Sequence, residues 1–103
     1  MALADSANGV DVGRKVVATA GTAEALSTSN TRIFSVAIQA ETDNTGLVVV
    51  GDSTVVAALA TRKGIALNAG DSITLDVAQL SNIYIDVTVN GDGVTYLAAT
   101  NSV

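Results

Sequence analysis

The sequence predicts an all-β protein, an antiparallel β-sandwich of about eight short strands, and three observations carry that prediction. Apolar and polar residues alternate with period two in several short runs, most clearly in RIFSVAIQAE (32–41). Such runs recur about every ten residues, separated by Gly, Asn and Asp clusters such as TDNTG (42–46) and NAGD (68–71). No stretch carries a 3.6-residue apolar period long enough for a stable helix.

Residues 1–13 are small, polar and glycine-punctuated without a period, which reads as a mobile N-terminal arm ahead of a single domain spanning 14–103. KVVATA (15–20) and TAEALS (22–27) read as strands on either side of Gly21; AEAL favours helix, but six residues cannot sustain one. In 32–41, Phe34, Val36, Ile38 and Ala40 share one face. LVVVG (47–51) is apolar on both faces, as in a central strand or one covered by a neighbouring subunit. VVAALA (55–60) is open between a strand and a helical turn. IAL (65–67) precedes the NAGD turn, and SITLDV (72–77) then turns Ile73, Leu75 and Val77 inward. AQLSN (78–82) suits one helical turn with Leu80 plugging the core. IYIDVTV (83–89) places Ile83, Ile85, Val87 and Val89 inside and Tyr84, Asp86 and Thr88 outside, and GVTYLAAT (93–100) alternates likewise. Between these two runs NGDG (90–93) reads as a tight β-hairpin turn that uses glycines at positive φ.

One domain and one core fit within 103 residues. Hydrophobic residues make up 49%, yet only Phe34, Tyr84 and Tyr96 are aromatic, so the core is built from Val, Ile, Leu and Ala. Each of the larger aliphatics contributes about 1.5–3 kcal/mol when buried, so the domain is expected to be thin and to gain from association. The net charge is −5, and Arg14, Lys15, Arg32, Arg62 and Lys63 are scattered rather than clustered. Nucleic acid is therefore not an expected partner, because phosphate binding needs grouped cations. No apolar run reaches the length of a membrane span and MALADSANGVDVGRK does not resemble a secretion signal, so no membrane partner and synthesis in a cytoplasm are expected.

The chain has neither histidine nor cysteine, which removes the side chains best suited to proton transfer near neutrality and the commonest activated nucleophiles. No enzymatic activity and no cofactor are expected, and soft metals are excluded by the same absences. Calcium is the one ion to weigh, through DVTVNGDG (86–93) or AETDNTG (40–46), since hard cations take oxygen ligands. The spacing fails: Asp86 lies four residues before Asn90 and no glutamate follows. Asp86 reads instead as a solvated aspartate on the outer face of a strand, Asp92 as a dispensable turn residue, and the glycines of NGDG as the residues that matter. Tyr84 and Tyr96, opposite the aliphatic set of their strands or at its edge, read either as a contact surface or as rings packed under loops with their hydroxyls in water.

Four segments, in order, carry a resemblance: VVATAGTAEAL (16–26), FSVAIQAETDNTGLVVVGDS (34–53), GIALNAGDSITLD (64–76) and LSNIYIDVTVNGDGVTY (80–96). Together they resemble small structural proteins of tailed bacteriophages. The resemblance implies a jelly-roll-like sandwich serving as a decoration, or cement, protein on the outer surface of an icosahedral head. It implies the major capsid protein as partner, a homo-oligomer, a trimer more than a dimer, and a location on the virion exterior after synthesis in the host cytoplasm. A head-fibre, tail or baseplate adaptor domain is the alternative within virions, and a carbohydrate-binding module the alternative outside them. On this reading the contact residues are Arg14 and Lys15 with the arm, reaching capsid subunits, and the apolar faces of Leu47, Val48, Val49 and Val50 and of Val55, Val56 and Leu59, packing between copies. Tyr84 and Tyr96 complete the set.

Overall fold

A computed structural model describes residues 9–29, 32–77 and 79–100. Eight strands form two four-stranded antiparallel sheets: β1 (Gly9–Val16), β2 (Glu24–Ala25), β3 (Ile33–Ala40), β4 (Val48–Gly51), β5 (Ile65–Leu67), β6 (Ser72–Leu75), β7 (Tyr84–Val87) and β8 (Gly93–Thr100). One sheet has the order β1-β8-β3-β6 and the other β2-β7-β4-β5. The order follows from one ribbon folded back on itself. First pairs with last (β1·β8), second with seventh, third with sixth and fourth with fifth, and alternate pairs fall in alternate sheets. The contacts β3·β8 and β4·β7 then join the pairs into sheets. This is the jelly-roll arrangement, and the all-β sandwich read from the sequence is the fold observed.

The side chains between the sheets are aliphatic. Val36, Ile38 and Ala40 of β3 and Val94 and Ala98 of β8 face Val48 and Val50 of β4 and Ile85 and Val87 of β7, none more than 3% exposed. Leu80, in a single 3-10 turn at Leu80–Asn82, plugs the core as its position predicts and is 1% exposed. Ile73, Leu75 and Val77 turn inward as well, packing on the core while partly exposed.

Several features depart from the sequence reading; one is Val89, placed inside by alternation but 37% exposed beyond the end of β7. The strand at the N-terminus begins at Gly9, so residues 9–13 belong to the sheet; residues 1–8 of the expected arm lie outside the described residues. Its alternation is inverted: Val10 and Val12 point outward while Gly9, Asp11, Gly13 and Lys15 point inward, so no buried aliphatic row announces it. In β3 the register slips between Ile33 and Ser35, a bulge that leaves Phe34 unpaired and lets both Ile33 and Val36 face the core. Finally, NGDG is not a hairpin turn. Gly91 does take positive φ (87°), but β7 and β8 lie in different sheets, and the segment is the corner where the chain crosses between them.

Candidate functional site

The unalternating run at β4 is buried on both sides because the chain itself returns over the outer face of its sheet. Between β4 and β5 the excursion 52–64 folds back across that face. Val55 and Ala57 from the excursion and Val49 from β4 form a second small core, with Ala23 and Tyr84 packed against it. Asp86 stands beside Val49 in the register and is covered by the same layer, 1% exposed. The expectation of a solvated aspartate is thus wrong: its outer-face position is right, but the face is roofed.

A buried carboxylate needs donors, and Asp86 has backbone ones. Its Oδ1 accepts from the Gly21 N–H (2.9 Å) and from the adjacent Val87 N–H (2.8 Å), while Oδ2 accepts from the Ala57 N–H (2.9 Å). One side chain thereby fixes the β1–β2 turn and the excursion to the same point of β7. Arg62 closes the excursion from its other end, donating Nε and Nη2 to the Ala57 carbonyl at 3.0 and 2.8 Å. Backbone bonds between Val56 and Lys63 complete it.

The rest of the stretch works the same way. Asp92, 6% exposed, accepts from the Thr45 N–H (3.1 Å) and the Gly46 N–H (2.7 Å). Asn90 Oδ1 accepts from the Ala20 N–H (2.7 Å), and Thr88 Oγ1 from the Leu47 N–H (2.9 Å). Asn44 both donates to the Gly93 carbonyl and accepts from the Gly93 N–H. The residues that look like cation ligands in sequence are acceptors for neighbouring loops, and both acids are buried rather than solvated. Among the described residues no group of three or more acidic side chains is placed to hold a metal. No helix there is long and apolar enough to cross a membrane.

The residues read as contact positions separate into three groups. Val48, Val49, Val50 and Val55 are 0–4% exposed, so as folded they leave no surface for packing between copies. Leu47 and Val56 are half-buried. Leu59 is the reverse: it stands on the 3-10 turn Leu59–Thr61 at the tip of the pinned excursion, 81% exposed. Tyr84 packs on the second core, and Tyr96 lies on the core side of β8 with its ring over Gly13, where a Cβ would collide with it. Neither ring makes an open aromatic surface. Arg14 and Lys15 are strand residues rather than part of an arm. Arg14 forks onto Glu41 at 2.5 and 3.0 Å, and that carboxylate raises the guanidinium pKa further. Lys15 reaches Glu24 at 3.0 Å.

What sequence reading missed is the outer face of the β1-β8-β3-β6 sheet. The registers align Val12, Leu97, Ala37 and Thr74 in one row across all four strands, with Arg14, Thr95, Gln39 and Ser72 in the next. Val10, Val12 and Leu97 are 67%, 66% and 47% exposed, beside an open depression of about 690 Å³. The signal was the inverted alternation of GVDVGRKV, hidden by its glycines.

Comparison with family models, with curated proteins and with solved structures finds no match.

Proposed function

We propose that the protein is a virion structural component, a decoration protein that binds the outer surface of an icosahedral phage head in many copies and braces neighbouring capsid subunits. The observation that carries this reading is Leu59: an 81%-exposed leucine at the tip of an excursion held by Asp86 from beneath and Arg62 from the side. A large apolar side chain whose loop is already tethered at Ala57 costs less backbone entropy to cover than one on a free loop, which is how a docking anchor gains affinity. The resemblance of residues 16–96 to phage structural proteins supplies the kind of partner, and jelly rolls recur in capsid components, an argument by analogy. The role is mechanical linkage without catalysis or cofactor, and repetition of one modest contact over a shell multiplies its strength.

Adding purified protein to preassembled heads and measuring bound copies by sedimentation tests the proposal. Wild-type protein should saturate the shell at many copies, and Leu59→Asp should bind with at least about 30-fold lower affinity, the loss of one anchor. Saturation at only a few copies favours a fibre, tail or baseplate adaptor. Undiminished binding by Leu59→Asp removes the anchor.

A further inference from the structure

Among the described residues strand β1 is an edge: β8 is its only strand neighbour there, paired with it over eight residues in unbroken register, and its other side has no strand partner. Long regular edges invite pairing with another chain, and an inward-pointing charge is one device that discourages it. β1 holds two such charges, Asp11 and Lys15, on the same side as Gly9 and Gly13. Asp11 has no hydrogen-bond or ion-pair partner among the described residues, and Lys15 spends one contact on Glu24, which leaves its ammonium further donors.

The order of residues in GVDVGRKV turns these charges from a deterrent into a register. We propose that β1 pairs antiparallel with β1 of a second copy about a two-fold axis through Gly13. In that register Asp11 stands opposite Lys15 of the second copy, and the reciprocal pair repeats on the other side of the axis. On the outer face Val10 stands opposite Val16, and Val12 beside the aliphatic stem of Arg14. Two glycines meet at the axis, where side chains would crowd. Centring on Asp11, Arg14 or Lys15 instead sets like charges directly opposite, and centring on Val12 forms no ion pair. The two copies then share one eight-stranded sheet, whose outer face joins both sets of Val10, Val12 and Leu97 into a continuous apolar stripe. The same surface meets itself, so the contact closes at two copies. This inference concerns free protein and stands independently of the shell reading.

Sedimentation equilibrium of the free chain tests it directly. Wild-type protein should be a dimer at concentrations up to about 100 μM, and Asp11→Lys should raise the dimer Kd by at least about tenfold, because both attractive pairs become repulsive. Lys15→Asp should do the same, and the double variant Asp11→Lys/Lys15→Asp should restore dimerisation. Asp11→Asn, nearly the same size, should weaken the dimer by a smaller step. Circular dichroism of each variant separates lost pairing from lost fold, and since the Asp11 carboxylate has no hydrogen-bond or ion-pair partner among the described residues, its variants alone decide the question if Lys15→Asp unfolds. A wild-type monomer, a trimer, or a dimer indifferent to Asp11→Lys overturns the inference.

Discussion

Replacing Asp86 with alanine frees the Gly21 and Ala57 N–H groups, both now bonded to the carboxylate at 2.9 Å; Ala57 is buried away from water, whereas Gly21 is exposed and its N–H can turn to solvent. An orphaned buried donor costs about 1–3 kcal/mol, which applies in full to Ala57, and the lost bond to the exposed Gly21 adds about 0.5–1.5 kcal/mol. The Val87 N–H contact is local and adds little. Against this, the variant no longer buries a charge, a relief that acts in the opposite direction. The net expectation is a loss of about 1–3 kcal/mol, a sizeable fraction of the roughly 5–15 kcal/mol that holds such a domain together. Urea unfolding followed by circular dichroism should show the midpoint falling with an unchanged slope. Amide exchange should show protection lost first at Gly21 and Ala57, the ends the carboxylate holds together. A loss under about 1 kcal/mol with both amides still protected would refute the account of Asp86 as the staple of the excursion.

Asp92→Asn turns one acceptor into a donor facing either the Thr45 or the Gly46 N–H, and urea unfolding should register a loss of about 1–3 kcal/mol, against the neutral outcome the sequence suggests. Gly91→Val forces a β-branched residue to positive φ (87°) in open space, so backbone strain alone should lower stability by about 1 kcal/mol or more in the same assay. Asp52 has its pKa lowered first by the Thr54 hydroxyl and then by the Thr54 N–H. A folded pKa below the unfolded one means this local stabilisation is complete above the unfolded pKa and is lost as pH falls through the folded value. Carboxyl NMR titration should place Asp52 below ordinary aspartate, and Thr54→Ala should move it back up.

Most of the sandwich was legible because its inner faces obey period two: Val36, Ile38 and Ala40, Ile73 and Leu75, and Ile85 and Val87 all point where alternation sends them. β1 was not, because its inward positions are Gly, Asp, Gly and Lys, and local pattern cannot tell an edge strand with apolar residues outside from a loop. Asp86 failed for a different reason. Alternation places a side chain on a face correctly but does not say whether distant chain will cover that face. The clue lay elsewhere, in the continuous apolar run of β4, which required a cover on both sides. Using it for Asp86 needed the β4·β7 pairing, which is a tertiary fact. The same gap explains why Val48–Val50 resembled an intersubunit surface: Val48 and Val50 face the other sheet, and Val49 is covered by Val55 and Ala57 of the same chain. NGDG contains the residues of a hairpin and serves as a corner, since turn chemistry specifies a bend and not which sheet receives the next strand.

The pairing of first strand with last also governs how the domain comes into being. On a ribosome, β1 emerges before the other described strands and waits for β8, which is also the strand that joins β1 to β3. The sheet cannot close until nearly the whole described chain is available, and contacts of such long sequence separation make folding slow, in the range of about milliseconds to seconds. The absence of proline removes the isomerisation step that could slow it further. Until β8 arrives, GVDVGRKV is a strand open on both sides, and its mismatched inward charges are then what keeps nascent copies from joining in the wrong register.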